Sequence, residues 1–297
     1  MTLATPAAPT YDDPRVVVPA PASGAGNWAG AASAVLVDGT FWLTYRVRRP
    51  LAEGRGVSVV VARSEDGEHF EQVTEVHRDA FGCESFERPV LVPVPGIGWR
   101  LYLSCATPGS KHWWVDSLTA ATPEDLPDGV RTVVLPGDDA VAVKDPVVTH
   151  GPDGWEMLLC CHPLTEVGHE DRMTSRLLRS TDGLDWTDHG EVLAGRPGEW
   201  DERGARASTV LPDRPGAPRT ILYDGRPDAA SNWFETTGIA TWDGERYVAQ
   251  DAPPIASPHS DGAWRYASAV PLPDGRVRFY VEAARPDGAH DLVTVVR

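Results

Sequence analysis

Lysine is nearly missing from this chain. Of 27 basic residues only Lys111 and Lys144 are lysines, against 43 acidic ones, and the net charge is −16. A surface so negative repels phosphate backbones and anionic lipid, so nucleic acid and membrane are excluded as expected partners. The Arg-for-Lys, Ala/Gly/Pro/Val-rich composition matches a GC-rich coding sequence, which leaves the two lysines worth following. Cysteine is scarce too, and Cys83, Cys105, Cys160 and Cys161 show no metal-binding spacing. Neighbouring Cys160 and Cys161 point to opposite faces of a strand, so buried free thiols of a reducing compartment are expected. No apolar run approaches the roughly 18 residues that cross a bilayer. Met1-Thr2-Leu3-Ala4-Thr5-Pro6 lacks the basic start and apolar core of a secretory signal, so a cytoplasmic location is expected. Helical stretches are lacking as well: Ser117–Asp128 has room for one turn, broken by Pro123 and Pro127.

What the chain has is a repeat. A small-or-polar cluster, a strand, a Gly-centred turn and further strands recur five times, with turn glycines at Gly39, Gly98, Gly154, Gly216 and Gly275. Their near-even spacing over several strands per unit predicts an all-β, five-bladed β-propeller. The second strands are the clearest: Phe41–Tyr45, Trp99–Leu103, Trp155–Leu159, Thr220–Tyr223 and Val277–Val281. Asp-Gly at 38–39, 153–154 and 274–275 supplies the positive φ of tight hairpins. Ser64-Glu65-Asp66-Gly67-Glu68-His69-Phe70 and Ser180-Thr181-Asp182-Gly183-Leu184-Asp185-Trp186 share one pattern, with a weaker copy at Thr241–Tyr247. It reads as an outer-strand turn whose aromatic fills the gap between blades. The whole chain, 1–297, is expected to be one domain, with blades over about 27–84, 85–142, 143–201, 202–262 and 263–297. The last is short of a strand, and 15–19 (Arg15-Val16-Val17-Val18-Pro19) is predicted to supply it and close the ring; a surface-bound arm is the alternative.

In such a ring the first residues of the inner strands crowd one axial funnel. That position holds Asn27-Trp28, Glu87-Arg88, Lys144-Asp145, Glu202-Arg203 with Arg206, and Arg265-Tyr266. Charges are costly to bury unless paired or wetted, so converging acids and bases point to a polar ligand; an axial salt-bridge plug is the bland alternative.

These residues resemble the five-bladed propeller glycosidase superfamily, glycoside hydrolase families 32, 43, 68 and 130. Asn27-Trp28-Ala29-Gly30-Ala31, Phe41–Arg46 and Ala62-Arg63-Ser64-Glu65-Asp66-Gly67 are similar to the opening of family 130. Cys83-Glu84-Ser85-Phe86-Glu87-Arg88-Pro89 stands where that family has Glu-Asp-Pro-Arg. Lys144-Asp145-Pro146 resembles its Lys-Asp segment and the Arg-Asp-Pro of families 32 and 43, and Leu222-Tyr223-Asp224-Gly225 its Tyr-His-Gly strand. The resemblance implies hydrolysis or phosphorolysis of a glycosidic bond, with a carboxylic acid protonating the leaving oxygen. It places Glu87, Asp145 and Glu202 as catalytic candidates. Arg88, Lys144, Arg203 and Arg206 are candidates to hold phosphate or sugar hydroxyls, and Asn27, Trp28, Glu235 and Tyr266 to bind substrate. Asn27 is the nearest polar residue to the Asp that opens blade 1 in families 32 and 43, and Asn can be neither base nor nucleophile. Trp113, in the pair Trp113-Trp114, is the best sugar-stacking candidate among Trp28, Trp113, Trp114, Trp200, Trp233 and Trp264. The expected partner is a carbohydrate or sugar-like small molecule, with phosphate if the enzyme is a phosphorylase. No cofactor and no metal are expected; an axial calcium or other ion stays open without support from spacing. The rival readings are a non-catalytic glycan- or metabolite-binding propeller, and a scaffold recruited for other chemistry on a sugar-like molecule.

Overall fold

The computed structural model describes residues 13–297, so the reading of Met1–Pro6 falls outside the described residues. Strand β1 (Arg15–Val18) comes first, followed by five runs of strands. The first run is β2 (Trp28–Val37), β3 (Thr40–Arg48), β4 (Gly56–Ser64) and β5 (Glu71–His77). The second is β6 (Phe86–Val94), β7 (Gly98–Ala106), β8 (Trp113–Ala120) and β9 (Val130–Leu135). The third is β10 (Val141–Gly151), β11 (Gly154–Pro163), β12 (Thr174–Ser180) and β13 (Thr187–Leu193). The fourth is β14 (Ala205–Val210), β15 (Thr220–Gly225), β16 (Thr236–Trp242) and β17 (Tyr247–Ala249), and the last β18 (Trp264–Pro271), β19 (Val277–Ala284) and β20 (His290–Val296).

Consecutive strands within a run pair antiparallel, and β1 pairs antiparallel with β20. The middle three runs are separate four-stranded sheets; a parallel bridge from Trp28 to His290 joins the first and last into one eight-stranded sheet. Among the described residues there is no α-helix, only four short 3-10 turns, and no helix long and apolar enough to cross a membrane. The stretch Ser117–Asp128 forms the end of β8 and a 3-10 turn at Leu126–Asp128 that carries Pro127 inside it.

The first strands of the runs touch in the order β2, β6, β10, β14, β18 and back to β2. The apolar core lies between neighbouring runs, in six clusters spread over five seams. One packs Val59 and Val61 on Phe86 and Leu101; the cluster joining the last run to the first packs Tyr280 and Leu292 on Phe41 and Leu43. Each sheet is therefore buried on both faces, which is why the second strands read as nearly continuous apolar runs. At the first hairpin Asp38 and Gly39 take φ of +50° and +82°, the pair of positive values that a two-residue turn requires.

The Ser-x-Asp-Gly segments are latches between sheets. Asp182 Oδ1 accepts from the amides of Leu184 and Asp185, while Tyr102 of the preceding run donates to the Gly183 carbonyl at 2.6 Å and Arg100 to that of Asp182 at 2.7 Å. Trp186 packs edge-on against Tyr102. The copy at 64–70 does the same: Tyr280 donates to the Gly67 carbonyl at 2.9 Å and Phe70 packs on Tyr280. A Cβ on Gly183, at φ +74°, would meet Arg100 Nη1 at 2.6 Å and the Tyr102 hydroxyl at 2.8 Å. Gly183→Ala is expected to destabilise the fold by about 2 kcal/mol or more. Gly39→Ala, at φ +82° with nothing within 4 Å, carries only the backbone cost of about 1 kcal/mol. Urea midpoints of the two variants, measured side by side, test the latch; equal losses would argue against it.

Candidate active site

Every inner strand is bulged. The pairing registers shift between Gly30 and Ser33, Phe86 and Pro89, Lys144 and Val147, Ala207 and Thr209, and Arg265 and Ser268. A bulge re-aims a side chain, and this one puts Ala31, Glu87, Asp145 and Tyr266 at one equivalent position on four strands. Ala31, Asp145 and Tyr266 adopt φ of +53°, +52° and +53°, strained values for such residues. The strain is held in place by hydrogen bonds: the Asp145 amide donates to Ser104 Oγ at 2.8 Å, and the Tyr266 amide to Asp224 Oδ2 at 2.9 Å. Just before the bulge, Gly30, Phe86, Lys144 and Arg265 face Arg46, Cys105, Cys160 and Glu282 on the second strands, and in β14 Arg206 faces Asp224 one pair ahead of the bulge. Gly30 is required there, since a Cβ would lie 2.2 Å from Glu282 Oε1.

The charges that meet are interlocked. Arg206 Nη1 lies 3.2 Å from Asp145 and 2.9 Å from the Tyr266 hydroxyl, and its Nη2 lies 3.1 Å from Asp224 and 2.6 Å from Glu235. Glu235 also takes Arg226 at 2.7 Å and Arg265 at 3.1 Å, and Arg265 reaches Glu282 at 2.7 Å. Arg46 joins Glu87 to Glu282, with Arg55 at 3.6 Å from Glu87 and Lys144 at 3.5 Å from Asp145. The Tyr266 hydroxyl stands 3.3 Å from Glu87 and 3.2 Å from Asp145. It accepts from Arg206 and has one proton, so it serves one carboxylate at a time.

A cavity of about 310 Å³ opens on this network. Its walls carry the cations Arg55, Lys111, Lys144, Arg206, Arg226 and Arg265 and the carboxylates Glu87, Glu170, Asp171 and Glu235, a surplus of two positive charges in an acidic chain. Trp113, Trp233, Tyr266, His162, Ser110 and Asn232 supply the aromatic and uncharged polar lining. Burial opposes ionisation of Glu87, yet Arg46, Lys144 and Arg55 hold it well below the usual carboxylate range. Asp145 is likewise held low against burial by Lys144 and Arg206, and Glu235 at about 2 by Arg206, Arg226 and Arg265. Asp224 goes the other way: burial, with Glu235 close by, raises it. Burial drives His162 down to about 3, so it is neutral. Its Nδ1 lies 2.6 Å from the Glu170 carbonyl, which makes that nitrogen the donor and leaves Nε2 unprotonated beside Cys160.

The structure brings Glu87, Lys144, Arg206, Glu235, Tyr266 and Trp113 together around the cavity. Asp145 is fully buried directly behind them. Other candidates stand elsewhere. Asn27 does not line the cavity; its side-chain amide holds the carbonyls of Ser23 and Gly24. Trp28 is buried under Arg48 and Arg265, whose guanidinium carbons lie 3.8 and 4.7 Å from its ring. Arg88 points into the axis, where its guanidinium donates to the carbonyls of Ala32, Ser208 and Ala267. Glu202 is exposed and caps the Gly198 amide at 2.8 Å, because β14 begins at Ala205 and the turn before it buries Asp201 instead. Arg203 is spent on Asp171 at 2.8 Å. Trp264 is fully buried in the core between the fourth and fifth runs. Arg46, Arg55, Lys111, Arg226 and Glu282 are residues of the network or cavity that the inner-strand reading passed over, whereas Arg265 stands where that reading put it. The signal for Arg46 and Glu282 was a charge set near the end of an otherwise apolar second strand.

No family model matches this chain, and no curated protein does. Solved structures do. A thermostable family-43 glycoside hydrolase is similar at 14% identity and a TM-score of 0.67, over 95% of this chain and 91% of that one. The β-1,2-mannobiose phosphorylase of Listeria innocua, in complex with β-1,2-mannobiose, matches at 16% identity and 0.65, over 98% and 92%. An exo-1,5-α-L-arabinanase from a bovine ruminal metagenomic library matches at 15% and 0.63, over 92% and 94%. The chain thus has the all-β fold of the propeller glycosidases, shared by hydrolases and phosphorylases alike.

Proposed function

We propose that the chain is a single five-bladed propeller, closed by β1 on β20, that cleaves a glycosidic bond in the cavity at one end of its axis. The cyclic contact of the inner strands and the five apolar seams between runs support the blade count. One observation carries the function: Glu87 and Asp145 stand at equivalent bulges, share the Tyr266 hydroxyl, and only Glu87 reaches the cavity. Glu87 is the acid that protonates the leaving oxygen. Asp145, sealed behind it, anchors Lys144 and Arg206 and competes for the Tyr266 proton. Lys144, Arg206, Glu235 and Tyr266 hold sugar hydroxyls. The position equivalent to Glu87 in the first blade is Ala31, so no carboxylate there can activate water. Phosphate is already anionic at neutral pH and needs no such base, which favours phosphorolysis over hydrolysis.

Product analysis on oligosaccharides and aryl glycosides, with and without phosphate, tests this. Sugar 1-phosphate formed only with phosphate is the expected result, and free reducing sugar in both conditions would establish a hydrolase. A second reading, a sugar-binding propeller without turnover, draws on the ion pairing that keeps Glu87 and Glu235 ionised. Binding without any product from folded protein would establish that one.

A further inference from the structure

The surplus positive charge of the cavity sits on one wall. On the Glu235 side, Arg206, Arg226 and Arg265 converge on a single carboxylate, with Asp145, Asp224 and Glu282 completing their partners. The Trp113 side is different. Lys144 Nζ lies 4.8 Å and the Arg55 guanidinium carbon 5.2 Å from the Trp113 ring, and Lys111 lines the same cavity. Arg55 has one ion-pair contact, the 3.6 Å approach to Glu87, and its Nε has no partner. Lys111 pairs with no carboxylate among the described residues. Arg55 also takes φ +59°, a strained value in a residue with a side chain, and such strain concentrates at ligand sites. Lys144 has only the 3.5 Å approach to Asp145, so this wall holds two long ion pairs and one cation with none, and a neutral sugar would bury that shortfall at a cost in desolvation.

We infer, building on the glycoside-cleaving reading above, that this wall receives an oxyanion carried by the sugar itself, so that the substrate is an acidic glycoside with a ring carboxylate or phosphate. The fork of Arg55 offers paired donors to such a group, Lys144 and Lys111 act as point charges, and the adjoining Trp113 edge covers the ring. The arrangement also ties recognition to chemistry. An oxyanion beside Arg55 and Lys144 takes up the field that holds Glu87 ionised, and its own charge favours protonation of that acid. The correct substrate therefore arms the acid that cleaves it.

The test is calorimetric binding to the intact protein at fixed ionic strength, read without turnover. The ligands are methyl glycosides of glucuronate, galacturonate and mannuronate, their neutral counterparts, hexose 6-phosphates and inorganic phosphate alone. At least one acidic sugar should bind tenfold or more tightly than its neutral counterpart and than inorganic phosphate. Lys111→Glu, at an exposed position, should erase that preference while leaving Tm unchanged. Equal binding of neutral sugars would overturn the inference, as would binding of inorganic phosphate as tight as any sugar anion, or no binding by any of these ligands. Tight binding of an acidic sugar that is never cleaved would instead remove the glycoside-cleaving reading and leave the recognition in place.

Discussion

Glu87→Gln is expected to lower kcat by about 10²–10⁴-fold, the usual contribution of a positioned general acid. Glutamine keeps the shape of the side chain but cannot deliver the proton. The fold should survive, because Arg46 keeps Glu282 at 3.5 Å and Arg55, a quarter exposed, is free to turn toward solvent. The pH profile gives a sharper reading than the rate alone. An acid must be protonated to act, so wild-type kcat falls as pH rises through the pKa of Glu87 in the loaded enzyme. The variant should retain a low rate without that alkaline limb. Steady-state kinetics beside a thermal melt make the check, and unchanged turnover in folded variant protein would take Glu87 out of the chemistry.

Arg206→Met is expected to cost about 3–5 kcal/mol of stability, since it strands Asp145, Asp224 and Glu235 without their shared cation. The loss should depend on pH with a definite sign. Glu235 is held at about 2 in the folded protein, below the roughly 4.3 of an unfolded glutamate. Its pairing therefore stabilises the fold fully above about pH 4.3, and that contribution is lost as pH falls toward 2. The variant keeps Arg226 and Arg265 on Glu235 but loses Arg206, the strongest of the three, so its deficit is greatest near neutrality and shrinks in acid. Asp224, raised by burial, adds in the same direction, because once protonated it needs no cation. Urea midpoints at pH 7 and pH 3 compare the two; a deficit of equal size at both would mean that lost packing, not stranded charge, accounts for it.

Much of this was legible in the residues. The second strands and the Asp-Gly turns follow from local chemistry, alternation and positive φ, and appear where the sequence put them. The inner-strand acids were half legible. Glu87 and Asp145 stand out as charges inside apolar runs, and both reach the axis. Glu202, one of several charges in Glu199-Trp200-Asp201-Glu202-Arg203, does not, because which of Asp201, Glu202 and Arg203 turns inward depends on a turn that closes on Arg196 and Tyr223, and no periodicity reports that. The bulges were invisible, and they decide that Tyr266 shares a position with two carboxylates. Arg55 was passed over for a related reason. It lies in the loop between β3 and β4, where strand patterning ends, and it reaches the cavity from outside the ring of inner strands.

Arg88 also separates two cavities. Its guanidinium ties carbonyls from three inner strands across the axis, and it lines a second cavity of about 1350 Å³ on the far side, which shares no lining residue with the site. The passage between the two cavities is therefore stoppered, so whatever enters the smaller one must leave by the mouth through which it came.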